Sequence, residues 1–101
     1  MMKIVVYGTG GVGGYFGAKI AKAGYDVTFI ARGEHLKAIR QNGLKVKSIH
    51  GDFHISAKAT DAIGTITDID LVLIAVKTWQ LSDVAENLKP VLGRETMVLP
   101  L

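Results

Sequence analysis

Short apolar runs alternate with stretches of helical spacing along most of the chain. The first run, Ile4–Tyr7, is continuous and β-branched, which is typical of a strand buried on both faces of a parallel sheet. Further runs at 26–31, 69–76 and 96–99 predict three more strands, and the strongly apolar run at 69–76 is expected in the interior of the sheet. The pattern therefore predicts an α/β fold with a parallel sheet.

Three stretches between these strands have helical periodicity. In the first, Val12, Phe16 and Ile20 recur at every fourth position and predict the buried side of a helix. The second covers Glu34–Asn42 and the third covers Thr78–Leu88. A strand, a helix and a second strand within about thirty residues form a βαβ unit, so the sheet is expected to be of the Rossmann type with flanking helices.

Residues 44–57 have a different pattern, in which apolar and polar side chains alternate. The pair Gly51-Asp52 suits a two-residue type II′ turn, which would place Val46 opposite Ala57. One face of the resulting pair of strands is apolar and the other carries lysines. We therefore predict a β-hairpin inserted in the α/β fold, followed by a segment at 60–68 that is mostly loop.

A glycine-rich turn joins the first strand to the first helix and matches the pattern G-x-G-x-x-G. Gly8 permits a tight turn, Gly10 lets the backbone approach a pyrophosphate, and Gly13 lets the helix pack on the strand. The phosphates would lie at the helix N-terminus, where N–H groups are free. A turn that serves packing alone is the alternative, but the strand–helix–strand context favours a dinucleotide site. Its candidate residues are Gly8, Thr9, Gly10, Gly11, Val12 and Gly13.

Arg32 follows the second predicted strand, where an NAD site usually carries an acidic residue that binds the ribose 2′-hydroxyl. A carboxylate at this place would repel a 2′-phosphate, whereas arginine can bind one with two parallel hydrogen bonds. Arg32 therefore predicts NADP(H) as the cofactor. The alternative is a solvated arginine that pairs with Glu34.

Lys77 ends the most apolar strand, which in a doubly wound sheet lies beside the first strand. Ligands bind outside the carboxyl ends of such strands, so Lys77 is expected to face the cofactor crevice and to hold a ribose hydroxyl or a substrate carboxylate. The alternative is a lysine that simply emerges into water. Gln80 could reach the same crevice, and Trp79 could either pack or form a wall of the site.

The sequence gives little indication of a metal site or of catalysis by a nucleophile or a pair of carboxylates. His50 and His54 flank Asp52, but the predicted hairpin places the two histidines on opposite faces, so no metal site is expected. His35 is expected on the surface, and no nucleophile triad or carboxylate pair is visible. A dinucleotide enzyme needs little beyond positioning and one acid or base, because its cofactor carries the hydride.

Composition narrows the classes of protein further. The chain has 101 residues, which suits one domain, and it has no cysteine, which excludes disulfides and fits a reducing cytoplasm. Its net charge is +3, but the lysines are scattered and the few aromatic residues do not cluster with them along the sequence, so nucleic acid is not an expected partner. The apolar runs are shorter than the roughly 20 residues of a membrane span. The residues before the first strand lack the apolar core and the cleavage site of a signal peptide, so none is expected.

Four segments together resemble the ketopantoate reductase family (2-dehydropantoate 2-reductase). They are Gly8–Gly13, Ala31–Leu36, Gly43-Leu44 and Ala75–Gln80, and the resemblance extends over essentially the whole chain. It implies NADPH-dependent reduction of 2-dehydropantoate to pantoate, a step toward pantothenate and coenzyme A. By this resemblance the glycine turn binds the pyrophosphate, Arg32 binds the 2′-phosphate, and Lys77 lies by the cofactor near the substrate.

Members of that family continue beyond the strand at 96–99 into an Asn-Gly pair and a helical domain, which supplies the catalytic lysine and most substrate contacts. We therefore expect a fold that is incomplete relative to the full enzyme, with weak NADP binding at most and no turnover. A 2-keto acid is the expected small-molecule partner, through that absent domain, and a homodimer is left open. The alternatives are a reductase of another 2-keto acid, a related hydroxyacid dehydrogenase, and a nucleotide-sensing module without catalysis.

Overall fold

The computed structural model describes residues 2–8, 12–47, 49, 51–75, 84, 86, 88–93 and 96–100. The strands are β1 (Lys3–Tyr7), β2 (Asp26–Ile30), β3 (Leu44–Val46), β4 (Phe53–Ile55), β5 (Lys58–Thr60), β6 (Leu71–Ile74) and β7 (Met97–Pro100). The helices are α1 (Val12–Lys22) and α2 (Gly33–Asn42), and single 3-10 turns cover Ile63–Thr65 and Lys89–Val91.

Five strands form one parallel sheet in the order β5-β2-β1-β6-β7. The prediction of a Rossmann-type parallel sheet is confirmed, as is the position of β6 beside β1 in the sheet interior. The described residues of the helix predicted over 78–88 are Val84 and Leu88, both buried, and Glu86, which is exposed; its other positions lie outside the described residues. No helix in the described part of the chain is long and apolar enough to cross a membrane.

Strand β1 is buried on both faces, as its continuous apolar run predicts. Ile4 and Val6 belong to a core cluster that also includes side chains of α1, α2 and β3. Val5 and Tyr7 belong to a second cluster on the other face. The sheet therefore has an apolar layer on each side, and β1 is the strand at its centre.

Helix α1 packs on the sheet through small residues. A Cβ atom at Gly17 would lie 2.6 Å from Cε1 of Phe29 and 2.9 Å from Cγ2 of Val6. The helix is therefore too close to the sheet for a large side chain on this face. The prediction that Phe16 lies on the buried side is wrong, because Phe16 is 50% exposed. Ile20 is partly buried against the core.

The hairpin is present, but its register differs from the prediction. Val46 lies opposite Phe53, rather than opposite Ala57, so positions 47–52 separate the paired strands in place of a two-residue turn. The alternation of apolar and polar residues has a period of two, so it cannot distinguish registers that differ by an even number of residues. The faces are therefore right and the pairing is wrong. The chain then joins the main sheet as β5, parallel to β2.

Candidate functional site

Three neighbouring strands end level with one another at one edge of the sheet. Tyr7 of β1 lies beside Ile30 of β2 on one side and Ile74 of β6 on the other. The amide of Ala75 donates a hydrogen bond of 2.9 Å to the carbonyl oxygen of Tyr7, which extends the pairing by one residue. The residues that follow these strands are therefore neighbours in space, although they are far apart in the sequence.

This edge is also the point where the order of the strands reverses. The strands β2 and β5 lie on one side of β1, and β6 and β7 lie on the other. Chain segments that leave adjacent strands toward opposite sides open a crevice outside the strand ends, and ligands of open α/β sheets bind in that crevice. The glycine turn begins there.

The first residue of the glycine turn, directly after β1, has a backbone conformation that favours glycine. Gly8 has φ 100°, which side chains rarely permit. Gly13, in the first turn of α1, lies so close to the strand ends that a Cβ atom would overlap the carbonyl oxygen of Gly8. The same atom would lie 2.7 Å from Cβ of Ala75. The start of α1 is thus pressed against the ends of both β1 and β6.

The small side chain of Ala75 is a condition for this contact that the sequence did not reveal. Ala75 lies in a run that predicts only a buried strand, and its contact with Gly13 depends on the position of β6 beside β1. The hint in the sequence was that Ala75 is a small residue near the end of a run of mostly bulky apolar residues. Thr9, Gly10 and Gly11 lie outside the described residues, as does the side chain of Val12.

The N-terminus of α1 has the character of an anion site. The first N–H groups of a helix have no partner within the helix, and the helix dipole places partial positive charge there. No acidic residue lies in the first turn of α1. A pyrophosphate therefore suits this end of the helix electrostatically, because the free N–H groups and the dipole favour an anion and the first turn carries no carboxylate.

Arg32 lies between the end of β2 and the start of α2. Its backbone is extended, with φ −133° and ψ 158°, and its carbonyl oxygen accepts a 3.2 Å hydrogen bond from the amide of Leu36. Its side chain is exposed and does not cap the helix. Within the described part of the chain Glu34 pairs with Lys37, at 3.7 Å between Oε1 and Nζ, and forms no ion pair with Arg32. The guanidinium group is therefore not occupied by the carboxylate that the alternative interpretation named.

The other candidates are placed less fully. Lys77, Trp79 and Gln80 lie outside the described residues, so their roles stay predictions, and Ala75 beside Gly13 is the last described residue before them. His50 also lies outside. His54 donates a hydrogen bond from Nε2 to the carbonyl oxygen of Asn42, which ties the hairpin to the end of α2.

Lysines and aromatic rings do come together at one place, contrary to their scatter along the sequence. The ammonium group of Lys22 lies 4.7 Å from the ring centre of Phe53. That of Lys19 lies 5.8 Å from the ring centre of Tyr15 and 5.9 Å from that of Phe53. The two contacts with Phe53 come from the packing of α1 against the hairpin, which sequence spacing could not predict, whereas Lys19 and Tyr15 lie four residues apart on α1. The contacts with Phe53 link two elements of the fold through cation–π attraction.

Comparison with known proteins identifies the family and the fold. The family model described as ketopantoate reductase PanE/ApbA matches residues 4–101. A 2-dehydropantoate 2-reductase of Nostoc sp. is 37% identical over 100 residues, which are 98% of this chain and 31% of that protein. The enzyme of the same name from Pyrococcus horikoshii is 35% identical over 100 residues, 99% of this chain and 32% of its own.

Solved structures agree with this result. The crystal structure of a 2-dehydropantoate 2-reductase from Geobacter metallireducens matches with a TM-score of 0.92 and 39% identity, over 99% of this chain and 33% of that one. A D-mandelate dehydrogenase in a ternary structure with NADH and anilino(oxo)acetate matches with a TM-score of 0.88. Its identity is 24%, over 99% of this chain and 33% of that one, and this likeness concerns the fold alone. The chain spans about a third of the length of the curated relatives it matches.

Proposed function

We propose that this chain, which belongs to the ketopantoate reductase family, is the dinucleotide-binding part of an oxidoreductase that reduces 2-dehydropantoate to pantoate with NADPH. The observation that carries this proposal is the contact of Gly13 with Gly8 and Ala75, which leaves no room for a side chain at position 13 and brings the start of α1 against the ends of β1 and β6. Relatives named for this reaction support the substrate.

The glycine turn is proposed to hold the pyrophosphate. Residues 8–13, including Thr9, Gly10, Gly11 and Val12, would present backbone N–H groups to the phosphate oxygens, and the dipole of α1 would stabilise their charge. When bound, the nicotinamide supplies the hydride. The contribution of the chain is to bind this cofactor and to orient it at the carboxyl edge of the sheet.

Arg32 is proposed to select NADP(H) over NAD(H). Its side chain is exposed at the edge where the site lies, and the nearby carboxylate of Glu34 is paired with Lys37 instead. An arginine in this position can bind a 2′-phosphate through charge-assisted hydrogen bonds. No such gain is available with the 2′-hydroxyl of NAD(H).

Lys77 and Gln80 are proposed to complete the crevice. They follow β6, the strand beside β1, and in the family resemblance this segment lies near cofactor and substrate. The substrate contacts and the catalytic acid are assigned to the part of the relatives that this chain does not span. We therefore expect the chain alone to bind NADP weakly and to show no turnover, and a cytoplasmic location remains a prediction.

Titration calorimetry with NADP+ and NAD+ tests the cofactor assignment. The wild-type chain should prefer NADP+, and Arg32→Ala should lower this preference by at least about ten-fold, because hydrogen bonds to charged groups are the strong ones. Lys45→Ala is the control, since it removes one exposed charge from β3, outside the segment that carries Arg32. An unchanged ratio in Arg32→Ala would refute the role of Arg32.

A second variant tests the glycine turn itself. Gly13→Ala introduces the Cβ atom that overlaps the end of β1, so it should weaken both dinucleotides together and leave their ratio unchanged. Circular dichroism of the variant separates a local loss of binding from general unfolding. Full binding of both dinucleotides by a folded Gly13→Ala variant would argue against the proposed pyrophosphate site.

A further inference from the structure

Arg40 joins the last turn of α2 to the outer strand β5. Its Nε donates a hydrogen bond of 3.2 Å to the carbonyl oxygen of Ala59. The helix that carries Arg40 begins directly after Arg32 and is fixed to the core by the buried side chains of Leu36 and Ile39. One end of α2 therefore lies at Arg32 and the other end is tied to β5.

Strand β5 in turn holds the segment that carries Arg32. The amide of Ala31 donates a 3.1 Å hydrogen bond to the carbonyl oxygen of Thr60, one residue before Arg32. This bond continues the parallel pairing of β2 with β5, in which Ile30 lies beside Thr60. The extended backbone of Arg32 therefore starts from a peptide group that β5 keeps in place.

Arg40 binds a carbonyl group of β5 that has no hydrogen-bond partner within the described part of the sheet. Along a strand, successive residues direct their backbone groups to opposite sides, so if the Thr60 carbonyl points toward β2, the Ala59 carbonyl points toward the open edge. No further strand follows β5 in the sheet order. Arg40 satisfies this outward carbonyl, so the three residues of β5 are held from both sides.

We propose that Arg40 is a positioning residue for Arg32, and that the link from Arg40 through β5 sets the preference for a 2′-phosphate. This inference rests on the proposed function of Arg32. Without the Arg40 contact, β5 separates from β2 more often and the Ala31–Thr60 bond opens. The backbone of Arg32 is then no longer held in position, so its guanidinium group binds the 2′-phosphate more weakly. NAD(H) lacks that phosphate and is not affected.

The test compares two variants that each remove one positive charge. Arg40→Met keeps an unbranched apolar stem but removes the hydrogen-bond donor and the charge. Lys45→Met also removes one charge, from an exposed lysine of β3, outside α2 and β5. For each variant, hydrogen exchange at the amide of Ala31 reports the local link, and the ratio of the dissociation constants of NADP+ and NAD+ reports selectivity.

Arg40→Met should raise the exchange rate at Ala31 by about five-fold, the effect of one hydrogen bond of ordinary strength, and lower the preference for NADP+ by more than about two-fold. Lys45→Met should leave both within about two-fold. Faster exchange with an unchanged ratio would make Arg40 merely structural and overturn the inference. Equal shifts of the ratio in both variants would assign the effect to charge alone and overturn it as well.

Arg32→Ala separates the two levels of the argument. If it leaves the ratio unchanged, the cofactor assignment fails and this inference fails with it. If it lowers the ratio while Arg40→Met does not, only the positioning role is wrong. Should Arg40→Met fail to fold, Arg40→Leu gives the same readings, because leucine also lacks both the donor and the charge and is a good helix former.

Discussion

The two outer strands of the sheet, β5 and β7, differ in how far other residues of the chain cover their outer edges. Strand β5 is short, its outward carbonyl is bound by Arg40, and Lys58 forms an ion pair with Asp26 of the neighbouring strand. All four residues of β7 are exposed, and Met97 reaches 67%. The flank of the sheet at β5, on the side of Arg32, is therefore closed by other residues of the chain. The flank at β7 is open to solvent in the described part of the chain.

The open flank is nevertheless an ordered part of the sheet. The amide of Met97 donates a 2.9 Å hydrogen bond to the carbonyl oxygen of Asp70, and Oγ1 of Thr96 donates one of 2.7 Å to that of Ile69. Side chains of β7 are apolar on both faces of the strand. An edge of this kind favours pairing with another polypeptide, and proteins usually protect such edges with charges or short strands, as at β5.

The largest expected contrast comes from truncating one apolar side chain on each flank. Phe29→Ala, in the buried β2, should lower the free energy of unfolding by about 3–5 kcal/mol, because it leaves a cavity in the core. Leu99→Ala, in β7, should change it by less than about 0.5 kcal/mol. Urea unfolding of both variants measures the difference. Similar losses in the two would mean that β7 is packed and the comparison is wrong.

The next effect concerns the close approach of α1 to the sheet on the closed flank. Gly17→Ala places a Cβ atom 2.6 Å from the ring of Phe29, so overpacking should destabilise the chain by about 1–3 kcal/mol despite the better helix propensity of alanine. Gly64→Ala is the control, because nothing lies within 4 Å of its Cβ position. Chemical unfolding should show a loss only for Gly17→Ala. A gain in stability there would show that the helix can move outward freely.

The open flank makes a prediction about association. Val98→Lys places a charge on the exposed edge strand and should weaken self-association of the chain by about ten-fold, equivalent to about 1.4 kcal/mol. Sedimentation velocity over a range of concentrations measures this change. Gln41→Lys, on the exposed surface of α2, adds the same charge and should not alter association. A wild-type chain that stays monomeric at every concentration would contradict the prediction.

The smallest effect is expected from the ion pair at β5. Lys58→Met should cost about 0.5 kcal/mol, because Asp26 is partly shielded from solvent, and the loss should vanish in about 1 M salt. Lys89→Met removes the ion pair between Lys89 and Glu86, and both of these side chains are mostly exposed. The free energy of unfolding should therefore change by about zero. Thermal unfolding at low and high salt distinguishes the two. A loss that persists in salt would point to packing of the Lys58 stem rather than charge.

Local patterns predicted the parallel sheet and the close approach of α1 to β1, because these features depend on residues that are near one another in the sequence. The uninterrupted run at Ile4–Tyr7 is enough to predict a strand buried on both faces, and the spacing of Gly8 and Gly13 is enough to predict a close contact between helix and strand. The order of β1, β2 and β6 then followed from the βαβ rule.

Features that depend on distant partners were missed for identifiable reasons. Phe16 fits the helical period, but Gly17 brings the helix so near to Phe29 that only small residues face the sheet. The hairpin register was missed because an even shift preserves every face. The bond from Arg40 to Ala59 could not be predicted before β5 was known to lie at the sheet edge.

The contact between Gly13 and Ala75 has a consequence for the order of events during synthesis. Strand β6 follows β1 by a long stretch of chain, as the hydrogen bond between Lys3 and Asp70, 67 positions apart, illustrates. A nascent chain that has emerged only through the first βαβ unit has the glycines but lacks the wall that confines them. The proposed nucleotide pocket is therefore completed only when β6 has emerged and docks beside β1, well after the first βαβ unit.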